Sequence, residues 1–82
     1  MTGEKSSSLR HALFAKINAE RARQEEKWGK QSHNPGLWTI ILGEEFGEVC
    51  RSAFEGDWDN MEEELVQVAA VCVAWLEDLL SD

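Results

Sequence analysis

The chain has 82 residues, 43% of them hydrophobic, and carries 16 acidic against 8 basic residues for a formal charge of −8. One small domain is the limit at this length, and the apolar content excludes disorder throughout. The acidic balance argues against a nucleic acid polymer or an anionic membrane surface as partner, and any phosphate-bearing ligand would need a bridging cation.

Residues 1–7 are polar and read as a disordered tail, leaving 8–82 as one helical domain, with Ser6, Ser7 and Ser8 as N-cap candidates. The start of the chain has no apolar run of the kind a signal peptide needs, so a cytoplasmic location is expected. From Leu9 to Lys27 the spacing predicts a helix whose core stripe is Leu9, Leu13, Phe14 and Ile17. Continued, that stripe meets Arg21, Gln24 and Trp28. The inward side therefore turns polar, either because this end emerges into solvent or because Arg21 and Gln24 face a wet pocket.

Gly29 to Gly36 is a break containing Asn34 and Pro35. A second helix is expected over Leu37–Glu55, with Leu42, Phe46, Val49 and Ala53 as its apolar stripe. Beside it run Trp38, Ile41, Glu45, Glu48 and Ser52. Gly56 is the residue to stop it.

A third helix is expected from Asp59, where Asp59 and Glu62 have the spacing of a capping box. Met61, Leu65, Val68, Cys72, Trp75 and Leu79 then form a heptad-like seam, and Val66, Ala69, Val73, Leu76 and Leu80 a second apolar face. A helix apolar on two sides must be covered on two sides. Packing of two copies into a bundle, as a homodimer or homotetramer, is the simplest solution. Cys50 and Cys72 are expected as buried structural thiols, since no metal-binding or disulfide spacing is present. The fold class is all-α: a three-helix chain completed by dimerisation.

The chemistry is expected from carboxylates. Glu45 and Glu48 are neighbours at i, i+3 on the second helix, with Glu44 adjacent, and Glu64 lies near the start of the third. The short link makes the two helices antiparallel, so these groups can face one another. Two carboxylates about 5 Å apart repel by roughly 3 kcal/mol at an effective dielectric of about 20. Either they splay into water or a hard divalent cation joins them, and Mg²⁺ suits oxygen ligands while leaving room for a phosphate. Glu62 and Glu63 are read instead as acidic residues favoured at a helix start. Gln67 is the one polar side chain between Leu65 and Leu76. It is either a hydrogen-bonded amide in the core or seam, or part of the metal site.

The order Glu44-Glu45-Phe46-Gly47-Glu48, then Glu64-Leu65-Val66-Gln67, resembles the E-E-x-x-E … E-x-x-D motifs of the MazG-like all-α nucleoside triphosphate pyrophosphohydrolases, a group that includes the dCTP pyrophosphatases. The stretch Trp28-Gly29-Lys30-Gln31-Ser32-His33-Asn34-Pro35 is similar to the segment preceding the first motif helix in that family. The resemblance spans roughly residues 20 to 80. It implies Mg²⁺-dependent cleavage of a nucleoside triphosphate to monophosphate and pyrophosphate by a helical dimer. Glu45, Glu48 and Glu64 match its metal-binding carboxylates, and Gln67 falls at the position of its aspartate. Glu44 would be a further ligand or orient the attacking water. Trp28, His33 and Trp38 fall where the family lines its base pocket, although Trp38 reads better as core. Arg21, Arg23 and Lys27 are the basic side chains available for phosphate contacts, with Gln24 beside them. Two other readings stay open: a non-catalytic nucleotide-binding module with an incomplete metal site, and a purely structural helical dimer.

Overall fold

The computed structural model describes residues 2–81, with the side chains of residues 7–81. Three α-helices make up the chain: α1 (Thr2–Trp28), α2 (Pro35–Glu55) and α3 (Trp58–Leu80). There is no strand among the described residues. The central element is α3, which packs against both α1 and α2, whereas among the described residues the backbones of α1 and α2 do not approach one another closely. The molecule measures 43 × 31 × 20 Å, which is two helix layers at its thinnest.

Local chemistry sets the helix ends. The side-chain oxygen of Asn34 accepts from the Leu37 amide at 2.9 Å, and Pro35 occupies the first turn, so α2 begins two residues before Leu37. Gly56 ends α2 in the left-handed conformation, with φ of 71°, where a Cβ would be strained. Asp57, and not Asp59, caps α3: its carboxylate accepts from the Asn60 amide at 3.2 Å. Both Asp57 and Asp59 have acceptors suited to a cap, and the tight turn at Gly56 decides between them. The link is then only two residues long. Asn60 Nδ2 donates to Ser52 Oγ at 2.6 Å, fastening the end of the fully buried Ser52 turn to the start of α3.

The tail expected over residues 1–7 lies partly outside the described residues, since Met1 and the side chains of 2–6 are not described. The backbone is helical from Thr2, so Ser6, Ser7 and Ser8 do not cap α1.

The core differs from the expected stripes. Its buried apolar residues are Trp38, Val49, Ala70, Val71 and Ala74, with Ile41, Leu42 and Trp75 packed against the centre. The inward face of α3 thus runs through Ala70, Val71 and Ala74. Small side chains there let a neighbouring helix come close while the large ones flank the contact. The heptad seam is left half-buried at Met61, Val68, Cys72 and Trp75 and exposed at Leu65 and Leu79. On α2, Phe46 and Ala53 point outward. On α1 the expected order is inverted: Leu9, Leu13 and Phe14 are exposed, Phe14 by 61%, whereas Gln24 is only 7% exposed. Cys50 is exposed and Cys72 half-buried, and both are free thiols, so neither is the buried structural thiol expected. No described helix is long and apolar enough to cross a membrane.

Candidate functional site

Because α1 and α2 flank α3 without meeting, a cleft remains between them. It has a volume of about 350 Å³ and is lined by Gln24 and Trp28 of α1, Gln31 and His33 of the connecting loop, Trp38, Ile41 and Glu45 of α2, and Gln67, Val71 and Ala74 of α3. Six residues expected at the site therefore share one cleft: Gln24, Trp28, His33, Trp38, Glu45 and Gln67.

One wall is aromatic. Trp38 is only 2% exposed, stacks on Trp75 with ring centroids 6.2 Å apart, and meets the His33 ring edge-on at 4.9 Å. It is a core residue that shows the cleft one edge. Its Nε1–H donates to Asp78 Oδ2 at 2.8 Å, and the His33 amide donates to the same oxygen at 3.0 Å. These donors hold the Asp78 carboxyl below its usual range, the Trp38 bond contributing most. Through them the loop is moored to the end of α3, and the His33 ring is set at the cleft mouth with Nε2 3.0 Å from Gln31 Oε1. Trp28 is exposed, with Lys27 Nζ 4.6 Å from its ring centroid.

The lining has one acidic side chain. Glu45 lines the cleft, half-buried, and its carboxyl is pushed above the ordinary range. Burial is the main cause, followed by the negative charges of Glu64, Glu48, Glu44 and Glu20. The charges of Glu48 on α2 and of Glu64 on α3 are thus both felt at Glu45. Among the described residues no basic side chain pairs with Glu45; Arg51 lies 3.5 Å from Glu48.

Not every expected residue reaches this cleft. Arg21 donates to Glu77 and Glu25 and to Gln24 Oε1, which fixes it along a separate cleft of about 800 Å³ beside the end of α3. Lys27 and Glu44 are exposed, Glu48 and Glu64 are half-buried, and none of the four lines the cleft.

Two residues escaped the reading of the sequence. Glu20 joins the acidic group from α1, one turn before Gln24 on the same stripe; that spacing was the available signal. Its carboxylate accepts from Arg23 at 2.9 and 2.6 Å and from Gln24 at 3.2 Å. Arg23 is the main reason its carboxyl is held below the ordinary range. Asp78 is the other. It lies four residues after Ala74, on the buried face of α3, a position that could be found only once that face was known.

Whether these groups suit Mg²⁺ is a question of donor type and arrangement. No three Asp, Glu, His or Cys side chains among the described residues converge as a ready-made metal cage. The donors are nevertheless all carboxylate oxygens, the hard ligands Mg²⁺ prefers, and they carry unneutralised negative charge around Glu45. Mg²⁺ is commonly held by one or two carboxylates with waters and substrate phosphates completing the octahedron. The carboxylates are of the donor type that such an ion takes. The chain matches no protein-family model, no curated protein and no solved structure.

Proposed function

We propose that the protein is a Mg²⁺-dependent nucleoside triphosphate pyrophosphohydrolase that works as a homo-oligomer. The observation that carries this reading is the position of Glu45. Its half-buried carboxyl, pushed above the ordinary pKa range by burial and then by surrounding carboxylates, lines a cleft that also offers indole, imidazole and amide groups. A planar base needs aromatic surface and a few directed hydrogen-bonding groups. A triphosphate brought to an acidic floor needs a cation between them.

Trp28 and His33 would flank the base, with the amides of Gln24 and Gln31 available to its polar edge. Glu45, Glu48 and Glu64 would hold the metal ion. When bound, Mg²⁺ supplies charge neutralisation at the phosphates and a more acidic water. Glu44, exposed beside these ligands, takes the proton of the attacking water. Water oxygen adds to phosphorus as the anhydride bond breaks, releasing nucleoside monophosphate and pyrophosphate.

Self-association completes the domain. Five buried apolar residues are a slender core, and Leu9, Phe14, Phe46, Phe54, Leu79 and Leu80 are all more than half exposed. An apolar groove of about 450 Å³ between α1 and α3, lined by Leu13, Ile17, Trp58, Met61 and Leu65 among others, is a natural seat for a second copy.

Pyrophosphate release from a panel of dNTPs with Mg²⁺ tests the reading, with a Glu48→Ala control. Turnover no greater than that control removes the enzymatic assignment. One observation favours a second reading, a nucleotide-binding module without chemistry: position 67 contributes a neutral amide to the acidic floor. Nucleotide-dependent thermal stabilisation with no pyrophosphate would mark that case.

A further inference from the structure

We propose that the outward face of α2 pairs antiparallel with the same face of a second copy, Glu44 of each chain meeting Arg51 of the partner subunit. The proposal takes nothing from the catalytic reading, and the face shares no residue with the groove between α1 and α3.

The inward side of α2 carries Trp38, Val49 and Ser52. On its opposite side stand Ile40, Gly43, Gly47, Cys50 and Phe54, alternating three and four residues apart, which is the spacing of a coiled-coil seam. Every one of them is exposed, Ile40 by 59% and Phe54 by 94%, and so are Phe46 and Ala53 beside them. Gly43 and Gly47 weaken a helix relative to alanine. Nothing within the chain calls for them: neither has a positive φ, and an added Cβ would meet no neighbouring group within 4 Å. Glycine also lets another backbone come close, and that is the use left for these two.

The face complements itself in one antiparallel register. Where Gly47 lies across from Cys50 of the partner subunit, Phe54 lies across from the partner's Gly43, and Phe46 beside the partner's Ala53. Bulkier side chains meet smaller ones at each position, and two-fold symmetry makes each pair occur twice. The flanking charges agree, since Glu44 then meets the partner's Arg51 on both sides of the axis. A shift of one heptad either way would instead set Glu44 against the partner's Glu44, or Arg51 against the partner's Arg51. Within one chain Arg51 is exposed and reaches Glu48 only at 3.5 Å, an interaction easily exchanged. Such pairs select register more than they add affinity. Two helices about 30 Å long make a small interface of the weak, transient class, so pairing is expected well above micromolar concentration.

Two single-cysteine chains test the register: Gly43→Cys and Phe54→Cys, each with Cys50→Ser and Cys72→Ala, with helicity checked by circular dichroism. They are mixed at high concentration and oxidised with copper–phenanthroline. Positions 43 and 54 face one another across the pair, whereas like positions lie about 16 Å apart along the axis, too far for a disulfide. The mixed disulfide should exceed either like disulfide by about fivefold or more. In a Leu13→Glu/Leu65→Glu chain, which separates α2 pairing from the groove, Arg51→Glu should weaken dimerisation seen by sedimentation about tenfold, and adding Glu44→Arg should restore it. A statistical mixture of disulfides, or no trapping at all, overturns the proposal and leaves the face to a different protein. An exchanged pair as weak as Arg51→Glu alone also overturns it. The disulfides form on chains with the groove intact, so they decide the matter even if the groove variant fails to fold. Neither assay contains nucleotide or Mg²⁺, so the catalytic reading stands or falls separately.

Discussion

The indole Nε1–H of Trp38 donates to Oδ2 of Asp78 across 2.8 Å, joining the first turn of α2 to the last turns of α3. The same oxygen accepts from the His33 amide, so a single carboxylate holds helix, helix and loop together. Replacing Asp78 with alanine leaves the Trp38 donor without this partner in an apolar setting. We expect Asp78→Ala to lower Tm by several degrees and to loosen the 29–34 loop, and Asp78→Asn to lower it less. Thermal unfolding followed by circular dichroism, with amide exchange at His33, reads both effects.

Acid should remove the Asp78 contribution. Its folded pKa is depressed, so its ionised form stabilises the native state above the unfolded pKa, and that stability is lost as pH falls through the folded value. The Tm difference between wild type and Asp78→Asn should stay constant near neutrality. It should shrink only below the ordinary aspartate range. A difference that fades already between pH 7 and 6 would implicate some other group.

Glu45 has the opposite sign. Its folded pKa is raised, so its ionised form burdens the native state at neutral pH, and the burden lifts as pH falls through the folded value toward the unfolded one. Glu45→Gln should therefore raise Tm by a few degrees at pH 7 in chelator, with the gain vanishing in acid. Added Mg²⁺ should raise the Tm of wild type but not of the variant. A variant less stable than wild type in chelator would contradict the charge crowding around Glu45.

Two tryptophans of the same cleft should separate cleanly. Trp38 is buried and Trp28 is exposed. Trp38→Ala should destabilise by about 3–5 kcal/mol, enough to unfold a domain this small. Trp28→Ala should change stability by no more than about 0.5 kcal/mol while weakening nucleotide binding. Chemical denaturation and a nucleotide titration on the same samples distinguish the two. A large stability loss at Trp28 would show it packed in solution against something further.

Association should be visible directly. Sedimentation of the wild-type chain should give a dimer or larger species at micromolar concentration, and Leu13→Glu/Leu65→Glu should give monomer with a lower Tm. Both residues line the apolar groove between α1 and α3. Monomeric wild type with an unchanged double variant would leave that groove without a role.

The helices and their breaks were legible from residues with strong local preferences. Asn34-Pro35 starts α2 and Gly56 ends it, because capping and left-handed turns depend on a few neighbouring atoms. The start of α3 was misplaced by two residues because Asp57 and Asp59 both look like caps. Which side of α3 faces inward was not legible. Leu65 and Leu79 are the more hydrophobic choice, yet Ala70 and Ala74 are inside, since inter-helix distance rather than hydropathy selects that face. At the site, helical spacing made legible that Glu45 and Glu48 are neighbours on one side of α2. Glu20 was harder to pick out: its spacing to Gln24 sets it on the inward side, but α1 is crowded with charge from Glu20 to Lys27.

The wide spacing of the α1 and α2 backbones among the described residues has a consequence for assembly of the chain. With a two-residue connection, α2 and α3 form a hairpin whose contacts are close in sequence, and such contacts form early. Helix α1 gains tertiary contacts only with α3, so it docks onto a finished hairpin. Backbone amides in the middle of α1 should accordingly exchange with solvent faster than those flanking Ala70 and Val71, and a ligand that touches both outer helices would slow that exchange by bracing the late arrival against its distant neighbour.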